Sequence, residues 1–280
     1  MIRQNAGTSI HLRRGRPVDC CRHKQKGHMM NRKPLVAANW KMHKTVGEAV
    51  SFAETLQREV GPLEDREVVL APPFTALSAV KGAMRQNGYR LSAQTCHWAD
   101  KGAFTGEVSV TMLKDIGCDY VIVGHSERRH LFGEADEIVK KKVDAVFAHE
   151  ILPILCVGEV LEEREGGKTF DVVGRQVDSG IHGLSLKQAE GLVIAYEPVW
   201  AIGTGKTATP AQAEEVHLFI RERLGSRFDK MIANRVRILY GGSVKADNVD
   251  SLMSEPDIDG LLVGGASLDA ESFKRIVQYR

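Results

Sequence analysis

The sequence predicts a single α/β domain, built as a closed parallel (β/α)8 barrel over residues 34–280. Eight short, strand-like apolar runs alternate with longer segments of helical periodicity. Each interval between runs is long enough for a helix, and no interior Pro-, Gly- or Ser-rich linker divides the segment. Eight consecutive βα units in about 250 residues are typical of this barrel.

The eight predicted strands are short and nearly continuously apolar, as expected for parallel strands that are buried on both faces. They are Leu35–Trp40, Glu67–Ala71, Arg90–Gln94, Tyr120–Gly124, Ile151–Val157, Leu192–Glu197, Val236–Tyr240 and Gly260–Gly264.

Three of the intervening segments carry clear helix signals. One begins at Val46 and stops at Gly61, and a second covers residues 135–150. The third has Thr209 as the N-cap and Pro210 in the first turn, and we expect it to end at Gly225.

Two nucleotide-binding alternatives fit the sequence less well. An open doubly wound sheet should carry G-x-G-x-x-G after its first strand, but that run ends in Asn39, Trp40 and Lys41. The stretch AYEPVWAIGTGKT, residues 195–207, ends like a Walker loop. Trp200 stands where that loop requires its first glycine, so the match fails.

The formal net charge of +2 hides an uneven distribution. Residues 1–33 hold nine Lys or Arg and one acid, whereas residues 34–280 hold 29 basic and 35 acidic residues. The mildly acidic body gives no reason to expect a nucleic-acid partner. We expect residues 1–33 to be a disordered basic extension, with Met29 or Met30 as an alternative start. An organelle transit peptide is the weaker interpretation of this segment.

The chain has five cysteines and no C-x-x-C pair, which argues against a disulfide framework and a zinc site. It has no signal-peptide run and no apolar stretch of membrane-spanning length. We therefore expect a cytoplasmic protein with no metal and no membrane partner.

Polar residues and glycine pairs follow the predicted strands, and in a parallel barrel these strand ends surround one mouth. The sites are Asn39 and Lys41 after the first strand, His125, Ser126 and Glu127 after the fourth, Cys156 and Glu159 at the fifth, Glu197 at the sixth, Gly241, Gly242 and Ser243 after the seventh, and Gly264 and Gly265 after the eighth.

These residue types indicate proton transfer in a phosphorylated substrate. Glycine-rich loops after the last two strands match the phosphate site common on barrels. Glu197 is a candidate general base, His125 a polarising donor and Lys41 a cation. Each residue alone also fits a structural role, and it is their shared location at one end of the barrel that favours catalysis.

At these residues the chain resembles the triosephosphate isomerase family over essentially all of residues 34–280. The matching segments are NWKM (39–42), GAFTGEVS (102–109), VGHSERR (123–129), CVGE (156–159), AYEPVWAIGTGKT (195–207), YGGSV (240–244) and LVGGASL (262–268). Thr95 departs from the pattern, because the family usually has Asn there. In the family this position lies near the subunit contact.

The resemblance implies interconversion of dihydroxyacetone phosphate and D-glyceraldehyde 3-phosphate without a cofactor or metal. Glu197 matches the base, and His125 matches a neutral electrophile whose pKa the following helix lowers. Lys41 looks like the cation facing the substrate, Asn39 like an accompanying contact, and Glu127 like the ion-pair partner of Lys41.

The resemblance also implies a mobile lid and a phosphate site. The lid comprises Pro198, Val199, Trp200, Ala201, Ile202, Gly203, Thr204, Gly205, Lys206, Thr207 and Ala208, with hinges at its two ends. The Gly203 N–H is expected to meet the phosphate, together with Ser243, Gly264 and Gly265.

The segment His97–Ser109 lacks a helical or strand period. In the family a matching loop enters a neighbouring subunit, and Thr105 matches the residue that reaches the partner's site. We therefore expect a homodimer with Phe104 and Thr105 at the contact. Two rivals stay open: another sugar-phosphate isomerase or aldolase on a phosphate-binding barrel, and a non-enzymatic barrel scaffold.

Overall fold

A computed structural model describes residues 1–2, 32–203 and 206–280. Eight parallel strands close into a barrel in chain order, from β1 to β8, and β8 pairs with β1. They are β1 Leu35–Asn39, β2 Glu67–Ala71, β3 Tyr89–Ala93, β4 Tyr120–Val123, β5 Leu152–Val157, β6 Val193–Tyr196, β7 Arg237–Tyr240 and β8 Gly260–Val263. The predicted fold class is confirmed, and each observed strand lies within one residue of its predicted bounds.

Helices connect the strands and cover the outside of the barrel. They are α1 Val46–Val60, α2 Leu77–Ala83, α3 Val110–Ile116, α4 Ser126–Leu131, α5 Asp136–Ala148, α6 Leu161–Glu165, α7 Thr169–Ile181, α8 Leu186–Gly191, α9 Pro210–Arg227, α10 Lys230–Ala233, α11 Val249–Met253 and α12 Ala270–Val277. Short 3-10 turns cover Phe74–Ala76, Val199–Ala201 and Gly265–Ser267. Within the described part of the chain, no helix combines the length and apolarity that crossing a bilayer requires.

Helix α9 confirms one predicted boundary and corrects the other. Thr209 caps its start, because the Thr209 hydroxyl accepts the Gln212 N–H and Pro210 occupies the first helical position. The expected stop at Gly225 is wrong, since the helix continues to Arg227. A glycine costs a helix interior only about 1 kcal/mol, which buried neighbours on the same helix offset.

The apolar core has two layers, one inside the barrel and one between the barrel and its helices. The inner layer comprises Leu35, Ala37, Val69, Ala71, Tyr120, Ile122, Ile154, Cys156, Val193, Ala195, Leu239 and Leu262. These side chains fill the barrel interior, so it is a packed core and not a pore.

A cluster of charged residues lies just before β8, at the end of the barrel opposite the mouth. The Arg221 guanidinium contacts Asp257 and donates to Asp259 at 2.6 Å. Arg32, which the sequence analysis assigned to the extension, forms a second ion pair with Asp259. The rest of the predicted extension, residues 3–31, lies outside the described residues.

His217 is fully buried beside this cluster. Its Nδ1 lies 3.2 Å from the Asp257 carbonyl oxygen, and its Nε2 has no hydrogen-bond partner among the described residues. Burial lowers the pKa of His217 to about 3. The folded protein therefore holds this imidazole neutral.

Candidate active site

One cleft of about 430 Å³ opens at the carboxyl ends of the strands. It is lined by eleven of the predicted site and lid residues, namely Asn39, Lys41, His125, Glu197, Ile202, Gly203, Gly241, Gly242, Ser243, Gly264 and Gly265. A second cleft of about 260 Å³ adjoins it and is lined by Glu127 together with Asn39, Lys41 and His125. The residues predicted from the strand ends therefore lie together at one mouth.

Glu197 directly follows β6, and its backbone N–H donates to the Val157 carbonyl oxygen at 2.7 Å. Only 2% of the residue is exposed. Its Oε1 lies 3.0 Å from His125 Nε2, and its Oε2 accepts the Ser126 N–H at 3.0 Å. Burial raises the pKa of Glu197, but these two contacts outweigh it, and the net pKa is lowered. The carboxylate is therefore ionised and held against the wall of the cleft.

His125 caps the start of α4. Its Nδ1 accepts the Glu127 backbone N–H at 3.2 Å, so Nδ1 carries no proton and the ring proton lies on Nε2. This tautomer presents an Nε2–H donor towards the cleft, as the electrophile role requires.

The pKa of His125 differs from the expectation. Burial lowers the pKa of His125, but the Glu197 carboxylate beside Nε2 raises it by more, so the net pKa is raised. The predicted lowering is thus wrong for this conformation. The Glu197 carboxylate is the largest cause that raises the pKa of His125, and it can move. Its departure leaves burial and the Lys41 charge, which lower the pKa, against the smaller upward effect of Glu127.

Lys41 is held at the mouth by both its backbone and its side chain. Its φ is +52°, a left-handed conformation that costs a non-glycine residue about 1–2 kcal/mol. Asn39 Oδ1 accepts the Lys41 N–H at 3.1 Å, and Gln94 Nε2 donates to the Lys41 carbonyl oxygen at 2.8 Å. Lys41 Nζ lies 2.7 Å from Glu127 Oε1. The predicted ion pair is present, and the strained backbone aims the ammonium group at the cleft.

Backbone N–H groups converge at the other end of the cleft. Among the described residues, the N–H groups of Ser243, Gly264 and Gly265 donate to no protein acceptor. Close packing requires a glycine at position 242, since a Cβ there would lie 2.2 Å from the Tyr240 hydroxyl oxygen. Free N–H donors beside glycines form a cradle for an anion such as phosphate.

The first hinge of the predicted lid is anchored through Trp200. Its Nε1 donates to Glu159 Oε1 at 2.9 Å, and the same buried carboxylate accepts the Tyr196 hydroxyl at 3.1 Å. Arg164 lies 3.2 Å from this carboxylate, and its guanidinium carbon is 5.2 Å from the centroid of the Trp200 ring. Thr204 and Gly205, at the predicted tip, lie outside the described residues.

The predicted contact loop projects from the barrel. Residues 100–107 are exposed, including Phe104 and Thr105, and neither of these two lines the cleft of its own chain. His97 anchors the loop, since its ring lies 4.1 Å from the rings of both Trp98 and Phe104. Thr95 accepts a hydrogen bond from Lys142 Nζ at 3.0 Å.

Sequence reasoning missed several supporting residues, chiefly Gln94, the Ser126 N–H and the carboxylate of Glu159 as an anchor for Trp200. Gln94 ends the third predicted strand, so the strand-end rule could have found it. The other two contacts join segments far apart in the chain and have no local signal.

Comparisons with known proteins agree with this geometry. The family model for triosephosphate isomerase matches residues 34–280. The triosephosphate isomerase of Moorella thermoacetica is 56% identical over 248 residues, which cover 89% of this chain and 99% of that protein. The triosephosphate isomerase of Syntrophotalea carbinolica is 53% identical over 249 residues, with the same coverage. The chain therefore belongs to the triosephosphate isomerase family.

Proposed function

We propose that this chain interconverts dihydroxyacetone phosphate and D-glyceraldehyde 3-phosphate by proton transfer through an enediolate. One observation carries the proposal. A buried carboxylate, an imidazole N–H donor and an ammonium group face a cleft whose other end presents free backbone N–H groups. The first three serve proton abstraction beside a carbonyl, and the last serve a phosphate.

Glu197 is the base in this proposal. It takes a proton from the carbon next to the carbonyl and returns it to the neighbouring carbon. The hydroxyl proton of the substrate moves to the former carbonyl oxygen through His125 Nε2, so atoms and charge balance over the cycle. Its contacts with His125 and the Ser126 N–H keep its pKa low. Turning into the cleft breaks those contacts while burial persists, so the pKa rises and the carboxylate becomes a stronger base.

His125 and Lys41 stabilise the charge that forms on the substrate. The His125 Nε2–H donates to the carbonyl oxygen as that oxygen becomes an enediolate oxygen. A neutral imidazole suits this role, and the Glu127 N–H keeps the proton on Nε2. The Lys41 ammonium group supplies positive charge at the same mouth.

The lid and the phosphate site supply the rest of the rate enhancement. A positioned general base is worth about 10²–10⁴-fold, so other interactions must carry most of the acceleration. Binding of the phosphate by the N–H groups of Ser243, Gly264 and Gly265 fixes the reacting carbons next to Glu197. Closure of the lid at Gly203 excludes water, which strengthens each electrostatic contact.

The test is turnover of D-glyceraldehyde 3-phosphate in a coupled assay that contains EDTA. We expect fast turnover by the wild type and a loss of several orders of magnitude in Glu197→Gln. Glu162→Gln removes one exposed carboxylate of α6, away from the cleft, and should keep wild-type activity. An inactive wild type that is pure and folded would contradict the proposal and favour a binding scaffold.

We further propose that the active form is a homodimer. The second cleft, beside Lys41 and Glu127, is rimmed by Met42, Phe74 and Phe132, which are 93%, 37% and 67% exposed. Such apolar groups around a cleft favour a protein partner. A neighbouring copy could supply its projecting loop, with Phe104 and Thr105, to cover them.

Phe104→Asp tests this assembly, because it places a charge in the expected contact. We expect the dimer fraction, measured by analytical ultracentrifugation, and the activity to fall together. Phe170→Asp is the matched control, since Phe170 is similarly exposed on α7. Full activity in a proven Phe104→Asp monomer would separate catalysis from assembly.

We also propose that the protein acts in the cytoplasm on free triose phosphates, with no cofactor and no nucleic-acid or membrane partner. The reaction as written uses only side chains and backbone N–H groups of this chain. Cys96, Cys118 and Cys156 are free thiols, which suits a reducing compartment.

A further inference from the structure

One side chain closes the loop that follows β7. Ser243 and Lys245 line the cleft just after the glycines at the end of β7. Asn248 Oδ1 accepts the Lys245 backbone N–H at 2.8 Å, and Asn248 Nδ2 donates to the Ser243 carbonyl oxygen at 3.0 Å. A single amide group therefore bonds to both ends of this short segment.

Asn248 is itself fixed by the backbone around it. It immediately precedes α11, and the N–H groups of Asn248 and Val249 both donate to the Lys245 carbonyl oxygen, at 3.3 and 3.1 Å. The residue is half-buried. Because backbone hydrogen bonds fix Asn248 at the start of α11, its side-chain amide holds the loop in a defined position relative to α11.

This bridge acts on a group that the proposed function uses. The Ser243 N–H, like those of Gly264 and Gly265, donates to no acceptor among the described residues at the phosphate end of the cleft. Peptide units are planar, so holding the Ser243 carbonyl and the Lys245 N–H restricts the backbone rotations on either side of them. The directions open to the Ser243 N–H are therefore limited before any anion binds, which lowers the entropy cost of binding.

We propose that Asn248 is a positioning residue for phosphate recognition, acting through the backbone of Ser243 and Lys245. The inference rests on the proposed function, because phosphate is the anion that this end of the cleft would take. Asn248 does not touch the substrate in this scheme. Its contribution is the preorganised loop.

The experiment measures binding of inorganic phosphate by calorimetry, beside steady-state turnover of D-glyceraldehyde 3-phosphate. Asn248→Ala removes both bridging bonds. Asn248→Ser also removes the bridge but keeps a residue favoured at the start of a helix, so it protects against a folding defect. Asn234→Ala is the matched control, because Asn234 is exposed at the end of α10 and lies away from the cleft.

We expect both Asn248 variants to raise the Kd for inorganic phosphate about three- to tenfold, as loss of one or two hydrogen bonds implies. The KM for substrate should rise with it and kcat should change less, while the control matches the wild type. Wild-type phosphate affinity in both variants would overturn the positioning role alone. A wild type that neither binds phosphate nor turns over substrate would instead overturn the proposed function.

Discussion

Gly241→Ala should impair catalysis by displacing the base. Gly241 follows β7 directly, and its N–H donates to the Tyr196 carbonyl oxygen at 2.7 Å. An added Cβ would lie 2.9 Å from Glu197 Cγ and 3.2 Å from the Tyr196 carbonyl oxygen. Because carbon atoms need about 3.5 Å or more, the Glu197 side chain must move by roughly 0.5 Å. Since a 1 Å misplacement can cost about 10²-fold, we expect kcat to fall about tenfold.

The coupled isomerase assay and a thermal melt together test this prediction. Gly225→Ala is the control, since its Cβ would lie an ordinary 3.7 Å from Ala233 Cβ inside α9. That change should leave kcat unaltered and stabilise the protein by about 0.5–1 kcal/mol. If Gly241→Ala kept the wild-type kcat while folding normally, the claim that Glu197 is finely positioned would be refuted.

Two further predictions concern the lid and the acid stability. Trp200→Phe keeps an aromatic ring but deletes the N–H that donates to Glu159. Loss of this one charge-assisted hydrogen bond should lower kcat about three- to tenfold, with little change in the melting temperature. A wild-type kcat in Trp200→Phe would show that the bond to Glu159 does not anchor the lid for catalysis. His217 has a folded pKa of about 3, so as pH falls below about 6.5 the unfolded chain binds a proton that the folded chain cannot. Stability is therefore lost from about pH 6.5 downwards, by about 2 kcal/mol at pH 5, and urea titrations should show a flatter decline for His217→Gln. If the free energy of unfolding fell equally with pH in the wild type and in His217→Gln, the low pKa assigned to His217 would be contradicted.

Most of the fold could be predicted because its signals are local. Strands buried on both faces are continuous apolar runs, so β2 was predicted with its observed bounds. Helix α1 likewise runs from Val46 to Val60, as its periodicity and Gly61 indicated. Short helices such as α6 and α10 were not predicted, because five or four residues carry no measurable period.

The site was predictable in composition but not in detail. Parallel strands bring their carboxyl ends together, so Lys41, His125 and Glu197 could be placed at one mouth from chain order alone. The left-handed backbone of Lys41 and the Ser126 N–H that holds Glu197 arise from contacts between distant segments. The upward pKa shift of His125 has the same origin, since it depends on where the Glu197 carboxylate rests.

The most direct test of the central claim, that Glu197 moves a proton between carbons, is isomerisation in D2O followed by NMR of the product. Proton transfer through a carboxylate lets the abstracted proton exchange with solvent before it returns. We predict product that carries deuterium at the carbon protonated in the reaction, formed by the wild type and not above background by Glu197→Gln. Fast turnover into product free of deuterium by both the wild type and Glu197→Gln would indicate a direct hydride shift and contradict the account.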